Sequence, residues 1–345
     1  MSISKYAFVY ARIRARMSEL MDERRLKELV DVRSEDFLPF LMDSAYKEKL
    51  MKAGLTELNA GRIEKALNEE LIDQYLMVIR STGGVIRAIF EEIFRRLEVK
   101  NLKAIIRAKA VGTAKTAMLF PVDEFFGRGI ARLSEADSLE SVITRLKSPY
   151  RDVLEEALPE YEEGKRLVVL ENALDKELFG AIWSKAERLR AVDKELVKKI
   201  VGTEFDIVNI TTLLRCKLEE IVGEEIRTYF LPYAYEFDAD AVKDSIYADN
   251  VSSAIQLLPD STYKAVLSGA FSSYEGEKSL IPFENALRLY LLSVVRNTLR
   301  GYPINIGTMI GYLYLKEIET RNLCAIAVCK ENELPAEATM KIVMM

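Results

Sequence analysis

The sequence contains no histidine. Without imidazole there is no Ser-His-Asp constellation, no His metal ligand and no side chain that ordinarily titrates near neutrality. The Glu-x-x-His pairs of ferritin-like di-iron sites are excluded too. Cysteine is nearly as scarce. Cys216, Cys324 and Cys329 are too few and wrongly spaced for a structural zinc site, and so small a number suits a reducing compartment. No stretch reaches the ~18 uncharged apolar residues of a membrane span; the longest candidates, Tyr290–Val295 and Thr308–Leu315, are short and bounded by charge. Arginines interrupt any apolar core in the opening MSISKYAFVYARIRARMSEL, so it does not read as a secretory signal. There is no positive excess either. Lys+Arg total 49 against Asp+Glu 54, a net charge of −5, so no nucleic-acid partner is implied.

What is present is a core-forming, charged and helical chain. Of 345 residues, 49% are hydrophobic and 30% charged, enough to bury two or three cores and too apolar for disorder. With only 16 glycines and 9 prolines, the chain has few breakers. Tyr6, Val9, Tyr10, Ile13, Met17 and Leu20 fall on one 3.6-period stripe, with Arg12, Arg14 and Arg16 off it. The segments around 64–98, 168–200, 280–299 and 307–330 carry the same periodicity, and period-two alternation is nowhere sustained. The expected fold is all-α. Prolines are expected where helices begin or break: Pro121 and Pro232 in aromatic-rich connectors, Pro303 in a helix–helix loop, and Pro335 opening a last helix with Glu337 near its positive end.

Three patterns each occur three times. Glu-x-Ala-Leu-x-x-x-Leu begins at Glu64, Glu171 and Glu284, at intervals of 107 and 113 residues. An acid, then Asn three residues later, then Lys eight after the Asn, occurs as Glu98/Asn101/Lys109, Asp206/Asn209/Lys217 and Glu319/Asn322/Lys330. The Asn intervals are 108 and 113. Ser-x-Tyr occurs at Tyr46, Tyr150 and Tyr263, at intervals of 104 and 113. Independent patterns in one order with nearly one period imply a unit of about 110 residues read three times. The expected domains are 1–118, with the N-terminal helix, then 119–229 and 230–345.

Acid, Asn, the aliphatic at Asn+4 (Ile105, Leu213, Ile326) and Lys lie along one helix face. Asn is a poor interior helix residue, so its recurrence points to a cap or to a hydrogen bond with neighbouring backbone. A polar pin between packed elements is the plain reading, and a ligand site repeated three times the sharper one. Cys216 and Cys329 stand seven residues after the Asn, where the first unit has Ala108; a thiol that replaces a methyl is a small core filler. Three similar units joined covalently are expected to pack about an approximate threefold axis, leaving a central hollow.

Other motifs carry less. Val111-Gly112-Thr113-Ala114-Lys115-Thr116 mimics the end of a phosphate loop but lacks its upstream glycines. Asp238, Asp240 and Asp244 lack the paired carboxylates of a magnesium site and read as a solvated linker. The arginines of the first helix are fewer than a polybasic lipid-binding patch needs and read as an exposed or partner-facing surface.

The segment from 300 to 344 resembles the C-terminus of the C subunit of archaeal-type rotary ATP synthases, a relative of the d subunit of vacuolar ATPases. Gly311, Tyr314, Leu315, Lys316, Glu317, Glu319, Arg321, Asn322 and Leu323 match that family's last long helix, ahead of a Leu-Pro turn. Tyr6, Ala7, Ala11, Arg12 and Arg14 match its opening; Cys324 departs from it, standing where a basic residue is common. The resemblance implies a pseudo-threefold helical funnel with a central cavity and no catalytic residue, cofactor or metal. It implies a central-stalk component lying peripherally on the cytoplasmic face of the membrane. Its partners would be the membrane proteolipid ring and the central axle. Each charge crossing 100 mV releases about 2.3 kcal/mol, so several charges per ATP load the joint by on the order of 10 kcal/mol. An axle contact above roughly 1,000 Å² with an apolar centre is therefore expected. The competing reading is a soluble helical adaptor unrelated to rotary machines, and a third is an all-α enzyme acting through Asp238 or Asp240.

Overall fold

The computed structural model describes residues 4–113, 118–221, 223–277, 279–301 and 304–344. It is 74% helical, with no strand among the described residues. The chain opens with α1 (Ser4–Met17), followed by the short helices α2 (Glu23–Asp31), α3 (Ser34–Met42) and α4 (Lys47–Lys52). Two long helices follow, α5 (Ala60–Arg80) and α6 (Gly84–Val111). Short helices then return: α7 (Asp123–Phe126), a 3-10 turn at Ile130–Glu135, α8 (Leu139–Arg145) and α9 (Tyr150–Gly164). They lead to the long pair α10 (Leu167–Glu187) and α11 (Ala191–Leu218). The short helices α12 (Glu224–Tyr229), α13 (Lys243–Ile246), α14 (Val251–Gln256), α15 (Thr262–Gly269) and α16 (Phe271–Glu277) precede α17 (Ile281–Leu299) and α18 (Ile306–Glu331). The last helix is α19 (Ala336–Met340).

Several of these helices begin on a side-chain cap. Asp22 accepts the Arg25 N–H at 2.8 Å, Asn59 that of Arg62 at 2.9 Å, and Asn305 that of Thr308 at 3.1 Å. Asn250 and Ser253 form a reciprocal capping box. α6 stops at Gly112, whose φ of 71° lets the Thr113 N–H return to the Ala108 carbonyl.

Two expected helices are each a pair. The 64–98 stretch breaks at residues 81–83, where Gly84 takes a φ of 57° and the Thr82 hydroxyl bonds the Val78 and Ile79 carbonyls. The 168–200 stretch breaks at 188–190 with neither glycine nor proline; Leu189 is buried there and Arg190 turns extended. Pro39 and Pro159 also depart from expectation, lying inside α3 and α9. Both are on exposed faces, where a carbonyl that loses its helical donor is open to solvent. Pro121 and Pro232 lie in connectors and Pro335 immediately precedes α19. Pro303 falls outside the described residues.

Contacts sort the chain into two compact units, residues 1–142 with 302–345, and residues 143–301. In the first, α18 packs along α5, and α1 packs on α18. Tyr6, Val9 and Ile13 are buried while Arg12, Arg14 and Arg16 stay exposed. Leu29, Phe37, Leu41 and Leu50 from the short helices meet Ile63 and Leu67 of α5 and Leu323 and Ile326 of α18 in one core. In the second unit α10 packs on α9 and α11, and α17 packs on α11 and α15.

Candidate functional site

Helix α18 is buried along most of its length, yet it carries charge inward. Glu317 takes the Arg96 guanidinium of α6 at 2.8 Å and the Lys100 ammonium at 3.2 Å, and accepts the Tyr75 hydroxyl of α5. Arg96 also donates to the Tyr314 hydroxyl at 2.9 Å and stacks on that ring, 4.7 Å from its centroid. Burial alone would raise the Glu317 carboxyl. The charges of Lys100 and Arg96 and the Tyr75 hydroxyl outweigh it and hold the carboxyl down at about 2. The same burial pushes the Tyr75 hydroxyl well above its ordinary value, helped by the Glu317 charge.

Two residues on, Glu319 faces the other way. Its two oxygens accept the Met21 backbone N–H at 2.6 Å and the Tyr46 hydroxyl at 2.6 Å. Lys316 completes the group, 2.9 Å from Glu319 and 4.1 Å above the Tyr46 ring. Lys316 and Glu319 are 5% and 4% exposed, so neither charge leans on water. Burial, then the Glu319 charge, raises the Tyr46 hydroxyl well above its usual range, so it stays a donor. The Tyr312 hydroxyl donates to Gln74 at 2.8 Å.

The recurring positions occupy matching roles on α6, α11 and α18. Asn101 accepts the Phe120 N–H and donates to the Phe120 carbonyl, both at 2.8 Å. Asn209 accepts the Leu231 N–H at 2.8 Å and donates to the Phe237 carbonyl at 3.1 Å. Asn322 accepts the Met344 N–H at 2.9 Å and donates to its carbonyl at 2.6 Å. Each amide thus satisfies backbone in the segment that follows it. The lysines donate to carbonyls at or near the ends of short helical elements: Lys109 to Ser134 at 2.6 Å, Lys217 to Ile246 at 2.5 Å, Lys330 to Val30 at 2.6 Å and also to Val32. Of the acids, Glu98 holds Arg128 at 2.5 Å. Asp206 accepts the N–H groups of Tyr235, Glu236 and Phe237 and the Tyr263 hydroxyl at 2.9 Å. Tyr46, Tyr150 and Tyr263 are all buried.

The other singled-out residues stay apart from these rows. Glu64, Glu171 and Glu284 sit half-buried on the first helix of each long pair. Burial raises the Glu64 carboxyl, and Glu284 pairs with Arg215 at 2.7 Å. Asp240 pairs with Arg227 at 2.5 Å, and Asp238 caps the Asp240 and Ala241 N–H groups. Burial pushes the Cys216 thiol to about 11 and Cys324 to about 12. No group of three potential metal ligands occurs among the described residues. Ala114, Lys115 and Thr116 of the phosphate-loop mimic lie outside the described residues. The inward groups are tied to one another or to backbone, and what they can do is hold helices in register.

Residues 9–342 match the family model described as ATP synthase (C/AC39) subunit. The chain belongs to this family. Curated relatives include the C subunit of the A-type ATP synthase of Methanothermobacter thermautotrophicus, 31% identical over 97% of this chain and 86% of the relative. The namesake from Methanocaldococcus jannaschii is 29% identical over 97% and 85%, and that from Pyrococcus horikoshii 26% over 98% and 90%. The family is one of non-catalytic stalk components of rotary ATP synthases, so the chain is not an enzyme. The unrelated-adaptor and all-α-enzyme readings fall with this match. Among the family-matching residues of α18, Tyr314, Lys316, Glu317, Glu319 and Asn322 all point into the first unit's own interior. Sequence reasoning missed their counterparts Arg96, Tyr75 and Lys100. Ile89, Ile93, Leu97 and Val99, all buried around Arg96 on α6, were the signal that this arginine has to be paired.

Proposed function

We propose that this chain is the hub between the membrane proteolipid ring and the central axle of a rotary ATP synthase. Ions crossing the membrane turn the ring, the chain turns with it, and the axle carries the torque to a catalytic head that makes ATP. Run backwards, ATP hydrolysis pumps ions. The chain lies peripherally on the cytoplasmic face, with lobes 1–118, 119–229 and 230–345 grouped about a hollow that takes the axle tip.

The observation that carries this reading is the family match across residues 9–342. Two features support it. No helix among the described residues is long and apolar enough to cross a membrane, which suits attachment from outside. The internally paired charges of α18 suit a body that passes on torque, because breaking a buried pair costs about 3–5 kcal/mol. The test is affinity capture of the tagged, full-length chain from its native membranes under mild detergent. Proteolipid and axle components should co-purify in fixed ratio. Recovery of the chain with the catalytic head but without proteolipid would overturn the hub position.

A further inference from the structure

The Asn and Lys of α6 and α11 each grip the stretch of chain that comes next. On α18 only the Asn does so, through Met344; the acid and the lysine reach back to the beginning instead. Glu319 holds Met21 and Tyr46, and Lys330 holds Val30 and Val32. Ser34 Oγ donates to the Lys330 carbonyl at 3.0 Å, and Glu331 accepts the Ala60 N–H at 2.9 Å.

The N-terminal stretch has the internal spacing of the two stretches that follow α6 and α11. From the carbonyl that receives the lysine to the buried tyrosine is 16 residues from Val30 to Tyr46, 16 from Ser134 to Tyr150 and 17 from Ile246 to Tyr263. From the last acid-bound N–H to the lysine-bound carbonyl is 9 residues in two cases, Met21 to Val30 and Phe237 to Ile246. Four residues after each tyrosine stands a fully buried leucine, Leu50, Leu154 or Leu267. The spacing from lysine-bound carbonyl to buried tyrosine and leucine is therefore shared by three stretches, and the N-terminal one reaches its helix, α18, by folding back from the chain's start.

We infer that residues 21–58 form a strap that closes on α18, and that this is the one seam in the repeat held without covalent continuity. The rows on α6 and α11 act on segments tethered to them by 19 to 57 residues of chain, so their loops are cheap to close. The acid and lysine of α18 act on residues nearly 300 positions away and rely on their own contacts. Val30, Phe37, Leu41 and Tyr46 pack with Leu323 and Ile326 to supply them. Buried lysine and glutamate select the register, since a shift would take the Val30 and Val32 carbonyls from Lys330 and the Met21 N–H and Tyr46 hydroxyl from Glu319.

The test uses the full chain with a protease site inserted after Glu57, in the exposed stretch between α4 and α5. After cleavage, residues 1–57 should co-elute with the remainder on size exclusion and retain the helical signal of the uncut chain. The cleaved Lys330→Met/Glu319→Gln chain should release the fragment, whereas cleaved Lys217→Met, altered at the α11 row, should keep it. Release from the cleaved unsubstituted chain would overturn the inference, as would retention in the double variant. Should the double variant fail to fold, a circular permutant decides. Residue 345 is joined to residue 1 by a glycine-serine linker and new ends are opened after Glu57. It should fold and melt as the natural chain does, and failure to fold would refute the seam.

Discussion

Replacing Glu317 with glutamine keeps its shape and removes its charge. Arg96, 5% exposed, then loses a carboxylate 2.8 Å away, and Tyr75 keeps an oxygen to donate to. The carboxyl's fall from an ordinary 4.5 to about 2 corresponds to ~3 kcal/mol of folding free energy at neutral pH. Glu317 retains 16% exposure and the glutamine oxygen still accepts a bond, so ~2–3 kcal/mol is the expected loss. Lys100, 51% exposed, is the internal control. Lys100→Met should cost under ~1 kcal/mol, because water screens that pair.

The pH dependence separates charge from packing. A carboxyl held below its unfolded value stabilises the fold above about pH 4.5, and the gain disappears as pH falls towards 2. Denaturant unfolding followed by far-ultraviolet circular dichroism should therefore show Glu317→Gln weaker at pH 7. The gap should narrow from about pH 5 downward and close near pH 2. An unchanged midpoint at pH 7 would refute the account. So would a deficit that stays the same from pH 7 to pH 3, because that pattern belongs to a steric defect.

Three further expectations concern other parts of the chain. Asn209→Ala leaves the Leu231 N–H and Phe237 carbonyl without their amide, at ~1–3 kcal/mol for each buried group, and should speed hydrogen exchange over residues 231–237. Gly202→Ala would put a Cβ 2.8 Å from that of Tyr235, so the melting temperature should drop by the several degrees that ~1–3 kcal/mol of overpacking implies. The Cys216 and Cys329 thiols, buried and with Cys216 pushed to about 11, should resist Ellman's reagent at pH 8 until the chain is unfolded.

The helical class was legible because the signals that set it are local. The stripe of Tyr6, Val9 and Ile13 needs only a 3.6 period, and these residues are buried as the period demands. The breaks inside 64–98 and 168–200 were not equally legible. Gly83-Gly84 marks the first in the sequence itself. At 188–190 there is neither glycine nor proline; the turn shows only in the fold, where Leu189 is buried and Arg190 is extended. The recurrence of Asn101, Asn209 and Asn322 was visible as spacing, but what they bind was not. The bonded backbone lies 19 to 28 residues downstream, and nothing in Phe120, Leu231, Phe237 or Met344 advertises a partner. Arg96 was passed over because one arginine among many looks solvated until its neighbours are seen to be buried.

The residues that make this chain recognisable as a family member differ from those that could decide its partners. Tyr314, Lys316, Glu317, Glu319 and Asn322 are spent on α5, α6, the N-terminal stretch and Met344. A buried charge set of this kind tolerates little change, since each member left alone costs several kcal/mol. Surface positions carry no such penalty and can drift or adapt without touching the fold. At 26–31% identity to its relatives, such a chain can keep its interior wiring while its outer faces change. Partner contacts of this chain are therefore to be sought on exposed helix faces such as that of α1, where Phe8 is 66% exposed beside Arg12, and not on α18. Substitutions on α18 should act on partner binding only through stability. A variant there that lost its partners while melting normally would show that the helix also reads the rest of the machine.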